Sequence, residues 1–356
     1  MANPKYTIEL YKLIVSQSRL DKVDEIITFD GLKFGDKLNG IGSASFNLDI
    51  HDPKGQIENL RRYVTQVAIK RNGTIIWVGG INKSTFSYSN NKGVTNISAL
   101  SYLAHLSNRF TPSDYKKRNV DAGVIAWDLI NTVQSRTNGE LMIEQGTIET
   151  IGNIDESLSY ASVASALMNQ SNNLTGYTFT FVPVQNAGGN LDHILFNVYK
   201  YFGNIRSELP PLEIGTTVDR ISATTQDNIV NSATAEGAGT NTDVISRIAS
   251  DAGSQLAYSR REGVYSFKDI SLGSTLQLKV NNIINKFKVD RYDLNLELIP
   301  NTELRYGAFG LGDILKCNLI LPNGFVVDNF VRVIELGVDV SKEGVEYITP
   351  KVELIY

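Results

Sequence analysis

Two runs of alternating apolar residues meet at Asn72-Gly73, with Val67-Ala68-Ile69-Lys70-Arg71 leading in and Thr74-Ile75-Ile76-Trp77-Val78 leading out. A two-residue Asn-Gly connection needs positive φ at both positions, which these residues tolerate, so the stretch reads as strand, type I′ turn and return strand. The pattern recurs 251 residues later. That shift places Asn72-Gly73 on Asn323-Gly324, Gly93-Val94 on Gly344-Val345, Ile69 on Ile320 and Ile97 on Ile348. Both copies read as strand, Asn-Gly hairpin, strand, polar turn and final strand, with positive φ expected at both turns, and a duplicated β-barrel follows. The competing account is two all-β segments that share a common hairpin.

Around these repeats the chain changes character. In Ser43 to Ile50 the apolar residues fall at 44, 46, 48 and 50, a strand with one buried face, and Ile57 to Tyr63 reads as one or two helical turns after the Asp52-Pro53 break. Beyond Thr111-Pro112, residues 121–133 predict an amphipathic helix on Val124, Trp127 and Ile130 with Leu129 and Val133 beside them. A second helix is expected to open near Asp155 and to end before Asn172-Asn173. Tyr177 to Val182 and Leu191 to Tyr199 read as strands joined through Ala187-Gly188-Gly189-Asn190. After Pro210-Pro211 strands are expected at 220–225 and 229–236, a helix at about 242–253, and a hairpin of 255–260 with 264–270. A helical or strand-like stretch then runs to Phe287, and strands return from Lys288, with Asp293 to Leu298 alternating strictly.

Composition narrows the function. A chain of 356 residues with 42% hydrophobic and 20% charged residues is sized for two to four folded domains. Thirty-four Lys plus Arg against 38 Asp plus Glu, a net charge of -4, argues against a surface built to neutralise a duplex. The N-terminal residues do not form an export signal, and no apolar run is long enough for a membrane span.

Candidate chemistry is thin. His51, His105 and His193 are scattered without metal-motif spacing; the nearest approach is Asp49-Ile50-His51-Asp52, read as a solvated turn. Cys317, the single cysteine, sits in an alternating strand and reads as core packing rather than a nucleophile. Asp155-Glu156 is expected before a helix, complementing its dipole. Gly237-Ala238-Gly239-Thr240-Asn241-Thr242 lacks the third glycine of a dinucleotide loop, and Gly307 to Gly312 lacks the Lys-Ser/Thr ending of a phosphate loop, so both read as architecture. Arg61-Arg62, Lys116-Lys117-Arg118 and Arg260-Arg261 are short basic clusters read as solvated surface. Trp77, Tyr88, Trp127 and Tyr177 carry the alternative of a β-rich carbohydrate- or receptor-binding module, in which they would stack on sugar rings.

Four passages in order carry a resemblance: Ile41 to Leu48; Val67 to Gly80, continuing Trp77-Val78-Gly79-Gly80-Ile81; Trp127-Asp128-Leu129-Ile130 followed by Met142 to Gly146; and Tyr306-Gly307-Ala308-Phe309-Gly310-Leu311-Gly312-Asp313. With them the chain resembles the phage tail hub family, the baseplate hub and tail-associated proteins of long-tailed phages and related injection systems. The resemblance implies a mainly β fold with α/β insertions: tube-type β-barrels at 1-110 and at 211-240 with 289-356, a mixed α/β insertion at 111-210 and a small α+β insertion at 241-288. It implies a homotrimer forming a pseudo-sixfold ring at the distal tail, assembled in the host cytoplasm; that the chain is no enzyme and takes no cofactor is expected from the lack of any nucleophile-base or metal-ligand set in its own residues. The implied partners are a distal tail protein or tail tube ring, a tape measure protein, a separate fibre or spike protein, and genomic DNA passing without specific binding. Asn72, Gly73, Asn323 and Gly324 are the residues singled out, as structural hairpin turns.

Overall fold

A computed structural model describes residues 3–56, 59–171, 176–225, 229–239, 243–267, 270–300 and 303–355. The fold is mainly β, 50% strand and 17% helix. The first block holds β1 (Tyr6–Ile14), β2 (Arg19–Ile26), β3 (Asp30–Lys37), β4 (Ser43–Asp49), β5 (Thr65–Arg71), β6 (Thr74–Ser89) and β7 (Lys92–Ser101). Alternate residues of these strands, among them Ile8, Leu32, Phe46, Ile69, Trp77 and Ile97, meet in one buried cluster. A seven-strand path whose inner faces share one core must curl around it.

The middle of the chain supplies β8 (Tyr115–Asp121), α1 (Ala122–Gln134), β9 (Ile143–Ile148), β10 (Asn153–Leu158), α2 (Val163–Gln170), β11 (Thr178–Gln185) and β12 (Leu191–Tyr199). Its core continues into the outer face of the first block, where Tyr11, Ala68 and Tyr102 pack with Ile125, Leu129 and Phe196. Helix α1 forms where expected, started by the Asp121 carboxylate accepting from the Gly123 and Val124 amides. Its buried stripe is Ile125, Ala126, Leu129, Ile130 and Val133, however, and Val124 faces solvent.

The last part runs β13 (Val218–Thr225), β14 (Ser232–Glu236), β15 (Ser246–Ser250), α3 (Ala252–Tyr258), β16 (Glu262–Ser266), α4 (Gly273–Phe287), β17 (Tyr292–Leu298), β18 (Ile314–Ile320), β19 (Val326–Val340) and β20 (Glu346–Leu354). One large sheet runs β13-β17-β20-β19-β3-β4-β7-β6-β5-β1-β2, with β18 also on β19. Within it the second block has the order β13-β17-β20-β19-β18, matching β3-β4-β7-β6-β5 of the first. The blocks join where 335–340 of β19 pairs antiparallel with 32–37 of β3.

Several expectations are corrected. Residues 59–63 form turns, not helix, with Tyr63 at φ 63°, while Ile57 and Glu58 lie outside the described residues. Asp155 and Glu156 lie buried in strand β10; the helix starts only at Ser162, because Tyr160 at φ 49° breaks the backbone and the Ser162 hydroxyl accepts the Ser165 amide. The expected end of that helix, Asn172-Asn173, lies outside the described residues, as do Thr240 to Thr242. The helix expected over 242–253 is instead strand β15 followed by α3, which starts where Asp251 accepts from the Ser254 amide. Gln255 is therefore helical, and β16 pairs in parallel with β14 instead of forming the expected 255–270 hairpin. Strand β14, expected in the second barrel, belongs to this three-stranded sheet because Ala233 and Ala235 are small enough to lie under Leu276 and Val280 of α4.

Candidate assembly surface

The hairpin at Asn72-Gly73 has φ 52° and 85° and does more than turn the chain. The Asn72 carboxamide accepts from the Lys5 amide at 2.9 Å, and its own amide donates to the Lys5 carbonyl at 2.8 Å. Gln185 at the end of β11 receives the Ile75 amide at 3.0 Å and donates to the Gly73 carbonyl at 3.2 Å, so the tip is tied to the middle unit. The second turn differs. Positive φ falls on Gly324 at 84° and not on Asn323, and the Gly324 amide donates to the Leu321 carbonyl at 3.0 Å. Pro322 fixes the first central φ near -65° and so excludes the type I′ geometry expected there; the loop closes as a longer turn with left-handed glycine last.

The junction between the blocks is built from both. On its outer face Lys33 pairs with Asp339 at 2.6 Å and Lys37 pairs with Glu335. Gly35 stands opposite Gly337, where a Cβ on Gly35 would lie 2.7 Å from the Leu336 carbonyl oxygen. On its inner face Val338 and Val340 of β19 are 3% and 6% exposed, filling the core of the first block. Arg71 forks onto Glu346 at 2.6 and 3.1 Å, and the Tyr6 hydroxyl donates to the same carboxylate, a second tie between β1, β5 and β20. Asp36 lies half-buried at this junction beside Trp77; burial pushes its carboxyl up to about 6, with the nearby Trp77 indole N–H, which donates to the Gly35 carbonyl at 3.3 Å, holding it lower. A groove of about 700 Å³ runs along the junction between Phe34, Ala99, Leu296 and Val338.

The other residues picked out from the sequence are not brought together. The His51 amide donates to Asp49 in a local turn, and its ring stands edge-on to Tyr88. His105 bonds Gln66 at 2.9 Å, and burial followed by the charge of Arg109 pushes it down to about 4. His193 lies beside Asp192 and Glu144. Among the described residues no group of three His, Cys, Asp or Glu side chains is placed to hold a metal. Cys317 is buried, which pushes its thiol up to about 12 and leaves it a poor nucleophile. Asp155 accepts the Asn119 amide, and Glu156 accepts from Gln170, so both carboxylates serve packing. Gly237 and Gly239 precede strand β15 and not a helix. In the Gly307 to Gly312 loop the buried Asp313 accepts from the Gly310 and Asn204 amides and pairs with Arg206 at 2.7 Å. The basic clusters meet acids: Lys117 with Asp128 and Arg260 with Glu262, while Arg62 covers Tyr63. Of the four aromatic rings weighed for sugar stacking, Trp77 and Tyr177 are buried, Trp127 is stacked on Phe196, and Tyr88 alone is exposed.

Three solved structures share this fold along nearly their whole length. The tail protein from Neisseria meningitidis has 13% identity and a TM-score of 0.60, covering 98% of this chain and 96% of that one. The 43 kDa tail protein of prophage MuSo2 from Shewanella oneidensis has 10% identity and a TM-score of 0.62, with 97% and 98% covered. The prophage tail protein gp18 from Listeria monocytogenes has 11% identity and a TM-score of 0.60, with 97% and 94% covered. No protein-family model and no curated protein matches the chain. The fold resemblance drawn from the sequence is thus met by the structure. No helix among the described residues is long and apolar enough to cross a membrane.

Proposed function

We propose that this chain is a structural hub protein of a phage tail, of which three copies form a pseudo-sixfold ring that adapts a sixfold tail tube to a threefold tip. The observation that carries the reading is the repeated strand order of two blocks within one continuous sheet: three such chains present six similar units around one axis. The shared fold with tail proteins of three organisms supports it. The ring lies at the distal end of the virion tail, having been assembled in the host cytoplasm. It abuts a distal tail protein or tail tube ring and the tape measure protein, with fibre or spike functions on a separate chain. Genomic DNA crosses its lumen without specific binding, to which a net charge of -4 is suited. The proposed division is a barrel over 1-110, an insertion over 111-210, a second barrel over 211-240 and 289-356, and a small insertion over 241-288, which the pairing of β14 extends back to about residue 229. Asn72, Gly73, Asn323 and Gly324 then serve as turn residues within the barrels.

The test is the copy number and symmetry of the chain in an intact tail. Three copies on the axis are expected; six copies, one copy, or a location on peripheral fibres would overturn the reading. We further propose that the chain has no catalytic activity. Zymography of the purified chain on peptidoglycan and common polysaccharides is expected to give no band; a band would reject this, and its loss in Cys317→Ala or His51→Ala would locate the activity.

A further inference from the structure

The junction between the two blocks has an unfilled counterpart in the same chain. Strand β6 is to the first block what β19 is to the second. Each pairs with its hairpin partner through its first half and with the following strand through its second. On its ladder with the following strand each carries one irregularity, between Ile81 and Lys83 in β6 and between Val333 and Glu335 in β19. Aligning the strands on it makes Phe86 the counterpart of Val338 and Tyr88 that of Val340. Those valines are buried at the junction, yet Phe86 is 66% and Tyr88 57% exposed. Among the described residues no strand pairs with 83–89 on the edge away from β7.

At the end of the sheet β13 is the counterpart of β3. Phe34 faces Ala44 of β4, and Ala223 faces Leu294 of β17, which aligns Leu32 with Ile221 and Phe34 with Ala223. Leu32 and Phe34 are buried, whereas Ala223 is exposed and Ile221 half-buried, and the outer edge of β13 has no strand partner among the described residues. One chain therefore has both halves of a second junction at places where they do not meet. An unpaired sheet edge is a ready template for another strand.

We infer that β13 of one subunit pairs antiparallel with the 83–89 segment of β6 in the next, placing Ala223 opposite Phe86, Ile221 opposite Tyr88 and Thr225 opposite Ser84. The facing residues have changed in step. Phe34 opposite Val338 becomes Ala223 opposite Phe86, the large ring moving to the other strand and a small residue facing it. Gly35 opposite Gly337 becomes Thr224 opposite Thr85, a favourable cross-strand pair. The ion pair of Lys33 with Asp339 becomes Ser222 opposite Ser87, while at the end of the segment Lys83 stands in the place of Glu335. Phe86 and Tyr88 then close the second core as Val338 and Val340 close the first. The joint uses two different patches and is head-to-tail, the kind that closes a ring. This inference rests on the ring reading above, and the two are separable.

The experiment is disulfide trapping in a Cys317→Ala background. Strands in an antiparallel pair bring facing Cα atoms within disulfide reach, about 4.5–5.5 Å apart. Phe86→Cys with Ala223→Cys is expected to give, on oxidation, intermolecular cross-links ending at the trimer. Phe86→Cys with Ser222→Cys, one residue out of register and on the other face, is expected to give none. Phe86→Asp, at a site exposed in the single chain, is expected to abolish the oligomer without lowering the Tm of the subunit. A trimer that fails to cross-link in register overturns the joint and leaves the ring standing. In-register cross-links in an assembly of another copy number uphold the joint and overturn the threefold ring. Absence of cross-links at every attainable concentration overturns the joint.

Discussion

At the scale of single residues, close approach and burial decide most positions. A Cβ on Gly79 would run into the Leu100 carbonyl and the Trp77 ring, so Gly79→Ala is expected to destabilise the chain by about 3 kcal/mol in urea unfolding. Glu9 is buried with Lys22 at 2.5 Å, Lys70 at 2.8 Å and the Tyr11 hydroxyl at 2.5 Å around it. Burial alone would raise its carboxyl, but these three partners hold it below the usual carboxylate range. Glu9→Gln strands the Lys70 ammonium in the core, and a loss of about 3 kcal/mol in the same assay is expected. Asp36 shifts the other way. With its carboxyl raised to about 6 in the fold, the folded state holds the proton more tightly than the unfolded one. Its stabilising share is full below the unfolded value near 4 and is lost as pH rises through about 6. Asp36→Asn is therefore expected to raise stability at pH 7 by at most about 3 kcal/mol, with the gain vanishing towards pH 4 in paired thermal melts.

At the scale of elements the two turns separate by mechanism. Asn72-Gly73→Val-Val forces β-branched side chains into left-handed backbone and removes the Lys5 clamp, so a clear drop in Tm is expected. Asn323→Val should cost less, since that position has no positive φ to satisfy. Equal losses at the two Asn positions in single Asn→Val variants would argue against this distinction. The shared Asn-Gly signal was legible in the sequence; the role of Pro322 in changing the turn type was present there too and was outweighed by the repeat. Strands such as β4 and β17 were readable because each has one wet face, giving strict alternation. Helix α1 is readable from its apolar spacing, in which Leu129, Ile130 and Val133 belong to the buried stripe and Val124 does not. Strands β10 and β15 do not stand out in the sequence, because short runs of mixed apolar and polar residues fit either period. The discriminating signals were the N-caps Ser162 and Asp251, which mark where each helix starts.

At the scale of the molecule, what could not be read was partnership between distant strands. Nothing in residues 32–37 announces that 335–340 will complete their sheet, because a register spanning the chain is set by cores on both sides. The same holds for the exposed Phe86 and Tyr88, whose significance depends on knowing that Val338 and Val340 are buried at matching places. The missing ion pair at the proposed subunit joint has a measurable consequence. Association should vary little between low and high salt in sedimentation, whereas a joint held by charge would weaken steeply as salt rises. A strong salt dependence would count against the serine pair lying beside Ala223 and Phe86.

The pairing of β3 with β19 also orders events during synthesis. β3 leaves the ribosome long before β19, because the whole middle of the chain is made between residues 37 and 335. Until then the first block waits with an open edge and without the two valines that finish its core. Contacts between such distant segments form slowly, and the waiting edge is the place where nascent chains would pair with one another. Translation pace between β3 and β19 should therefore govern the yield of soluble chain more than pace through β1 and β2.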